Sequence, residues 1–189
     1  MAVGILGGAF DPPHNGHLAL ARAAIDELRL ERLLVLVVAN PGHKRVATPA
    51  DVRLELACLA FEPITQAEVE LDRHARTVDS LEERELDDAL FVIGGDELAD
   101  FSSWMRPERI LELVRLAVAR RPGVHEEEIA DAIARLPNPD RVVLFALEPV
   151  PVSSSEIRSR IHRGEPIDDL VPPGVLGEIT RLGLYTDPE

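Results

Sequence analysis

"VGILGGAFDPPHNGH", residues 3–17, decides the fold by the way it leaves its first apolar run. Val3–Leu6 is short and apolar, and from His17 to Leu28 apolar residues recur at helical spacing. The stretch therefore reads as strand, loop and helix. Gly7 and Gly8 let the backbone turn sharply and come close to a ligand. His14 and His17 stand at i and i+3, on one face of the first helical turn, with Gly16 removing a side chain between them. A helix N-terminus offers free N–H groups and a positive dipole end, which suit an anion. Two imidazoles there would face the same anion. A metal pair and two incidental surface histidines are the other readings. A metal pair wants more ligands, and the dipole disfavours a cation.

Working outward, the same alternation repeats. Further strands are predicted at Leu33–Val38, Glu68–Leu71, Leu90–Ile93, Leu116–Ala119 and Val142–Ala146. Helices are predicted at Ala50–Phe61, Val78–Glu85, Pro107–Val114, Glu126–Leu136, Ser154–His162 and Pro173–Leu182. This is the pattern of an α/β chain: a doubly wound parallel sheet with helices on both faces. Val35–Val38 is apolar throughout, as a strand covered on both faces should be. Residues 1–189 read as one domain, whose last helices, from about 153, carry a Ser-Ser-Ser motif. The Glu126–Glu128 run fits the solvated first turn of a helix.

In such a sheet, ligands bind beyond the carboxyl ends of the strands. Those ends are followed by Gly7–His17, Asn40–Lys44, Gly94-Gly95-Asp96, Arg120–Gly123 and, after a connector, Ser153–Arg158. Cations, glycines and hydroxyls collect there. Ser153 with Glu156 fits a capping box, which does not account for Arg158; from the opening part of the same helix it can reach an anion at the N-terminus. Asp96 suits either a helix N-cap or a ribose hydroxyl. Trp104, the single tryptophan, suits either the core or stacking on a flat ring.

Composition narrows the chemistry. The 189 residues carry a net charge of −14, which argues against a general affinity for DNA or RNA. Of 20 basic residues only Lys44 is a lysine, which draws attention to it. No run approaches the ~20 apolar residues of a membrane helix, and no signal peptide is read, so a cytoplasmic location is expected. The single cysteine, Cys58, lies in an apolar helical pattern and is expected in the core. Neither G-x-G-x-x-G, a P-loop, G-x-S-x-G nor H-E-x-x-H occurs.

Taken together, "GGAFDPPHNGH" and "VSSSEIR" resemble the paired motifs of the H-x-G-H nucleotidyltransferase superfamily, whose fold is Rossmann-like. Within it the chain is similar to the bacterial nicotinate-nucleotide adenylyltransferases through "PGHK", "TVDSL", "GGDELADFSSW" and "ARRPG". The resemblance implies transfer of an adenylyl group from ATP to nicotinate mononucleotide, giving deamido-NAD and pyrophosphate, with Mg2+ on the ATP phosphates. It implies that His14, His17, Lys44 and Arg158 act on the transferring phosphates. Gly7, Gly8, Phe10, Asp96, Ser153 and Ser154 would complete the ATP site, with Asp96 on the ribose. Trp104 would stack on the pyridine ring, Thr77 would lie near its carboxylate, and Arg121 would reach the mononucleotide phosphate. No protein metal ligand is implied.

The sequence departs from the family at Arg76, where an aromatic residue is common, and at Gly42, where a second proline is usual. A nicotinamide-mononucleotide or dual-specificity enzyme, a phosphopantetheine or alcohol-phosphate transferase, and a non-catalytic nucleotide sensor on the same fold are the alternatives. A homo-oligomer stays open.

Overall fold

The computed structural model describes residues 2–42, 46–86, 88–120, 126–148 and 150–186. Six strands form one sheet in the order β3-β2-β1-β4-β5-β6. They are β1 (Val3–Gly8), β2 (Arg32–Val38), β3 (Ala67–Asp72), β4 (Leu90–Gly94), β5 (Arg115–Arg120) and β6 (Val142–Ala146). Every pairing is parallel. All six predicted strands are present, each within two residues at either end.

The helices are α1 (Asn15–Leu28), α2 (Ala50–Phe61), α3 (Thr77–Arg84), α4 (Gly95–Asp100), α5 (Pro107–Leu113), α6 (Glu126–Ala134), α7 (Ser154–His162) and α8 (Pro173–Leu182). Their ends follow from local chemistry. α1 stops where Arg29 turns left-handed at φ 52° and its N–H closes on the Ile25 carbonyl. α8 starts with proline in its first turn and stops at Gly183, φ 63°, the usual asymmetry of the two residues.

Two apolar layers sandwich the sheet. Leu33, Val35 and Val37 of β2 face one layer, with α1, α2, α7 and α8. Leu34 and Leu36 face the other, with α3, α4, α5 and α6. Strict alternation on a strand buried on both sides is why β2 shows no polar residue between Leu33 and Val38. Each fully buried aliphatic side chain contributes about 1.5–3 kcal/mol, so these layers hold the frame.

Two features differ from expectation. No helix was predicted after Gly94 and Asp96 was weighed as a helix N-cap, but Gly94 is the N-cap of α4 and Asp96 lies within its first turn. Glycines are poor helix formers, which hides so short a helix. Cys58, expected in the core, is exposed on α2; the buried stripe of that helix is Arg53, Leu56, Ala57, Ala60 and Phe61.

The sheet order reverses between β1 and β4. Their ladder pairs only Gly4 with Leu90 and Ile5 with Phe91, whereas β1 and β2 stay paired from Val3–Arg32 to Gly8–Val37. Beyond Ile5 and Phe91 the two central strands part, which opens the crevice where ligands sit in this topology.

Candidate active site

The mouth of that crevice is built by the loop from Ala9 to His14. The sharp turn is made not by Gly7 or Gly8, which are both part of β1, but by Phe10 at φ 49°. A side chain on Gly8 would come within 3.0 Å of the Phe10 ring. Phe10 is 2% exposed and sets its ring edge-on to His17 at 4.9 Å. Its ring is turned into the core against His17, so the part of Phe10 open to the crevice is its backbone.

His14 is the N-cap of α1 rather than part of its first turn. Its ring stacks on His17 at 3.7 Å. The His14 backbone N–H donates to His17 Nδ1 at 3.2 Å, which places the His17 ring proton on Nε2. Gly16 permits the stack: a Cβ there would meet His14 Nδ1 at 3.0 Å and Val152 Cγ1 at 3.1 Å. Burial pushes the His14 pKa down to about 4, so only about one ring in a thousand is charged at pH 7. A neutral His14 can still donate a hydrogen bond from one ring nitrogen. Among the described residues its buried Nδ1 has no hydrogen-bond partner.

The second wall comes from α7. Ser153 caps that helix, its hydroxyl accepting the Glu156 N–H at 3.2 Å. The Glu156 carboxylate pairs with Arg160 at 2.9 Å, so the expected capping box is met on its serine half. Ser154 Oγ donates to the Pro12 carbonyl at 2.8 Å. It reaches a phosphate only by turning away from that carbonyl. Arg158 Nη1 donates to the Asp11 carbonyl at 2.9 Å. The structure thus brings His14, His17, Ser154 and Arg158 to one loop.

Asp96 is exposed at the carboxyl end of β4. Trp104 follows the 3-10 turn Phe101–Ser103 and is half-buried, edge-on to Phe91 at 6.0 Å and tilted on Phe101 at 5.3 Å. One side of it packs on the core and the rest is open. Thr77 opens α3 after Arg76, and no side chain caps that helix start. Arg106 ties the two pieces, pairing with Asp79 at 3.1 Å and Glu82 at 3.0 Å. Lys44 and Arg121 lie outside the described residues.

Three residues that the sequence did not flag complete the site's frame. Asp11 is 3% exposed and accepts the Ala47 N–H at 2.6 Å and the Tyr185 hydroxyl at 2.8 Å. Arg53, fully buried, donates to the carbonyls of Ala9 (2.7 Å), Ala39 (2.8 Å), Val38 (2.9 Å) and Thr48 (3.0 Å). It staples the ends of β1 and β2 to the following loop. Burial lowers its pKa from the ordinary value, and the Asp11 carboxylate opposes that shift. The one available signal was an arginine in register with the apolar stripe of α2. Nothing in the sequence joins Tyr185 to Asp11.

The model of the cytidylyltransferase-like family matches residues 5–160. A Thermomicrobium roseum protein named "Probable nicotinate-nucleotide adenylyltransferase" is 40% identical, over 97% of this chain and 91% of its own. One of the same name from Thermus thermophilus is 39% identical, over 98% of this chain and all of its own. Among solved structures, the Plasmodium falciparum nicotinic acid mononucleotide adenylyltransferase complexed with NaAD superposes with a TM-score of 0.76. It is 18% identical and covers 97% of both chains, a likeness of fold. No helix of the described residues is long and apolar enough to cross a membrane. The chain belongs to the cytidylyltransferase-like family and, by its full-length relatives, to the nicotinate-nucleotide adenylyltransferases.

Proposed function

We propose that this protein transfers the adenylyl group of ATP to nicotinate mononucleotide, releasing pyrophosphate and forming deamido-NAD. The observation that carries the reading is the stacked His14–His17 pair at the mouth of α1, with Arg158 and Ser154 of α7 bound to the same loop. A phosphate oxygen of the mononucleotide attacks the α-phosphorus of ATP. The bond from that phosphorus to the bridging oxygen breaks, and pyrophosphate leaves with the electron pair. The attacking oxygen is already ionised, so no proton has to be removed. The reaction needs alignment and charge stabilisation.

The N–H on His17 Nε2, the α1 N-terminus and the Arg158 guanidinium supply donors to the α-phosphoryl oxygens and the leaving group. His14, neutral, adds a donor without charge. Lys44 would add a second cation. Magnesium, bound with the ATP phosphates, would screen their charge. Among the described residues no three His, Cys, Asp or Glu side chains converge to hold a metal. Asp96 takes the ribose hydroxyls, Trp104 stacks on the pyridine and Arg121 takes the mononucleotide phosphate.

The acid is favoured over the amide by the start of α3. An uncapped helix N-terminus offers N–H donors, beside the Thr77 hydroxyl. A carboxylate accepts from all of them, whereas an amide strands its NH2 group at ~1–3 kcal/mol.

The test is pyrophosphate release from ATP with nicotinate mononucleotide, nicotinamide mononucleotide or phosphopantetheine as acceptor. Nicotinate mononucleotide is expected to lead the amide by at least about tenfold in kcat/KM. In the folded protein, His17→Ala should cut turnover at least ~100-fold. ATP binding without pyrophosphate release would make the protein a nucleotide sensor instead.

A further inference from the structure

We propose that Asp11 and Tyr185 are positioning residues for the triphosphate side of the site, a role that rests on the adenylyltransferase reading above. The Asp11 side chain is buried and takes one donor on each oxygen, the Tyr185 hydroxyl on Oδ1 at 2.8 Å and the Ala47 N–H on Oδ2 at 2.6 Å. The carbonyl of the same residue accepts Arg158 at 2.9 Å. Three distant pieces of chain therefore meet at one residue: the loop after β2, the second turn of α7, and the segment after α8. His14 stands three residues further on.

Burying a carboxylate between neutral donors is a poor way to gain stability. Apolar groups of the same shape do as well or better, because the charge must be stripped of water. What the carboxylate provides is direction. Two hydrogen bonds fix its plane, and the plane fixes the peptide whose carbonyl holds Arg158. The guanidinium of Arg53, bound to the Ala9 carbonyl just before it, supplies the opposite charge nearby. Asp11 and Tyr185 thus act through Arg158 and the entry to α1, on the ATP side, and not on the part of the site built by Thr77 and Trp104.

The test is steady-state pyrophosphate release by Tyr185→Phe, Asp11→Asn and Asp11→Ala, with ATP and nicotinate mononucleotide varied in turn and folding checked by thermal unfolding. Tyr185→Phe keeps the ring and loses the hydroxyl. It should lower kcat/KM for ATP about tenfold, the scale of a displacement of several tenths of an ångström at a reacting centre, with KM for the mononucleotide within about twofold. Asp11→Asn can still accept from Ala47 and can donate its NH2 to the Tyr185 oxygen, so it should stay within about threefold of the unmutated protein, and Asp11→Ala should lose about a hundredfold.

Variants that melt earlier but turn over normally per folded molecule would overturn the proposal. So would equal losses toward both substrates, or an Asn variant as impaired as Ala. Should Asp11→Ala fail to fold, Tyr185→Phe and Asp11→Asn decide between the same outcomes. If the unmutated protein releases no pyrophosphate with nicotinate mononucleotide, the functional reading fails and takes this proposal with it. Normal turnover in both the unmutated protein and the variants overturns the positioning role alone.

Discussion

Replacing Gly16 with alanine separates the chemistry of the site from its stability. The new methyl group would lie 3.0 Å from His14 Nδ1, 3.1 Å from His14 Cε1 and 3.1 Å from Val152 Cγ1, where ordinary contacts begin near 3.4 Å. Something must yield by at least three or four tenths of an ångström (~0.4 Å), on the scale of the tolerance of a catalytic constellation. The His14 ring cannot move alone, because it is stacked on His17. Val152 directly precedes the cap of α7, so a backbone retreat there would disturb the helix start that carries Ser154 and Arg158. A misplacement of about 1 Å costs on the order of a hundredfold in rate, so roughly half of that logarithm, a tenfold fall in kcat, is expected.

Stability should move little. Gly→Ala restricts the unfolded chain and gains about 0.4–1 kcal/mol, while local overpacking costs about 1–3 kcal/mol. For a chain of this length the balance is a Tm within about 5 °C of the original. The assay pairs pyrophosphate release with calorimetric unfolding of the same preparation. A folded Gly16→Ala protein with unchanged kcat would refute the reasoning, since the histidine stack would then have room that the structure denies it.

Trp104→Ala should raise KM for the mononucleotide roughly ten- to a hundredfold, as the loss of one stacking platform does, and leave KM for ATP unchanged. Because Trp104 also packs on Phe91 and Phe101, calorimetry should show a Tm lower by about 5 °C. His14 is held neutral by burial, with a pKa of about 4 against an ordinary 6.5. The unfolded chain binds its proton first as pH falls, so this contribution to stability is present above pH 6.5 and is lost between 6.5 and 4. It amounts to about 3 kcal/mol at most, and His14→Gln should flatten that part of the Tm–pH curve. His74 shifts the other way, raised chiefly by its hydrogen bond to Asp72 and then by Glu83. Its stabilising contribution is complete below pH 6.5 and lost as pH rises through the raised value, so Tm should fall there in the unmutated protein and not in His74→Gln.

The strands were legible because burial writes itself into them. Leu33–Val38 leaves no polar position on either face, and only a strand covered on both sides reads that way. The helices whose caps are conventional, α7 with Ser153 and α8 between its prolines and Gly183, were legible to the residue. α4 was not, since it begins on two glycines that signal a loop. In the site, His14, His17 and Arg158 could be picked out because their spacing and their place after a strand or at a helix start already imply an anion. The inward ring of Phe10 was not legible, because only the left-handed turn at that position sends it into the core. Asp11, Arg53 and Tyr185 stayed hidden because their meaning lies in hydrogen bonds to residues remote in sequence, and a single chain read in order carries no trace of such bonds.

The contact between Asp11 and Tyr185 spans 174 residues. Closing a loop of that length in a flexible chain costs about 4–5 kcal/mol in entropy, more than a single hydrogen bond returns. The bond can form profitably only after the sheet has already brought the two ends of the path together. Folding therefore runs in an order: strands and helix layers assemble first, and the crevice acquires its final shape last. A molecule arrested one step short of the end would show nearly all of the secondary structure and most of the buried apolar surface, yet its Arg158 and its histidine pair would not share a common anchor. Competence in this architecture is a late property of the chain, reached after compactness.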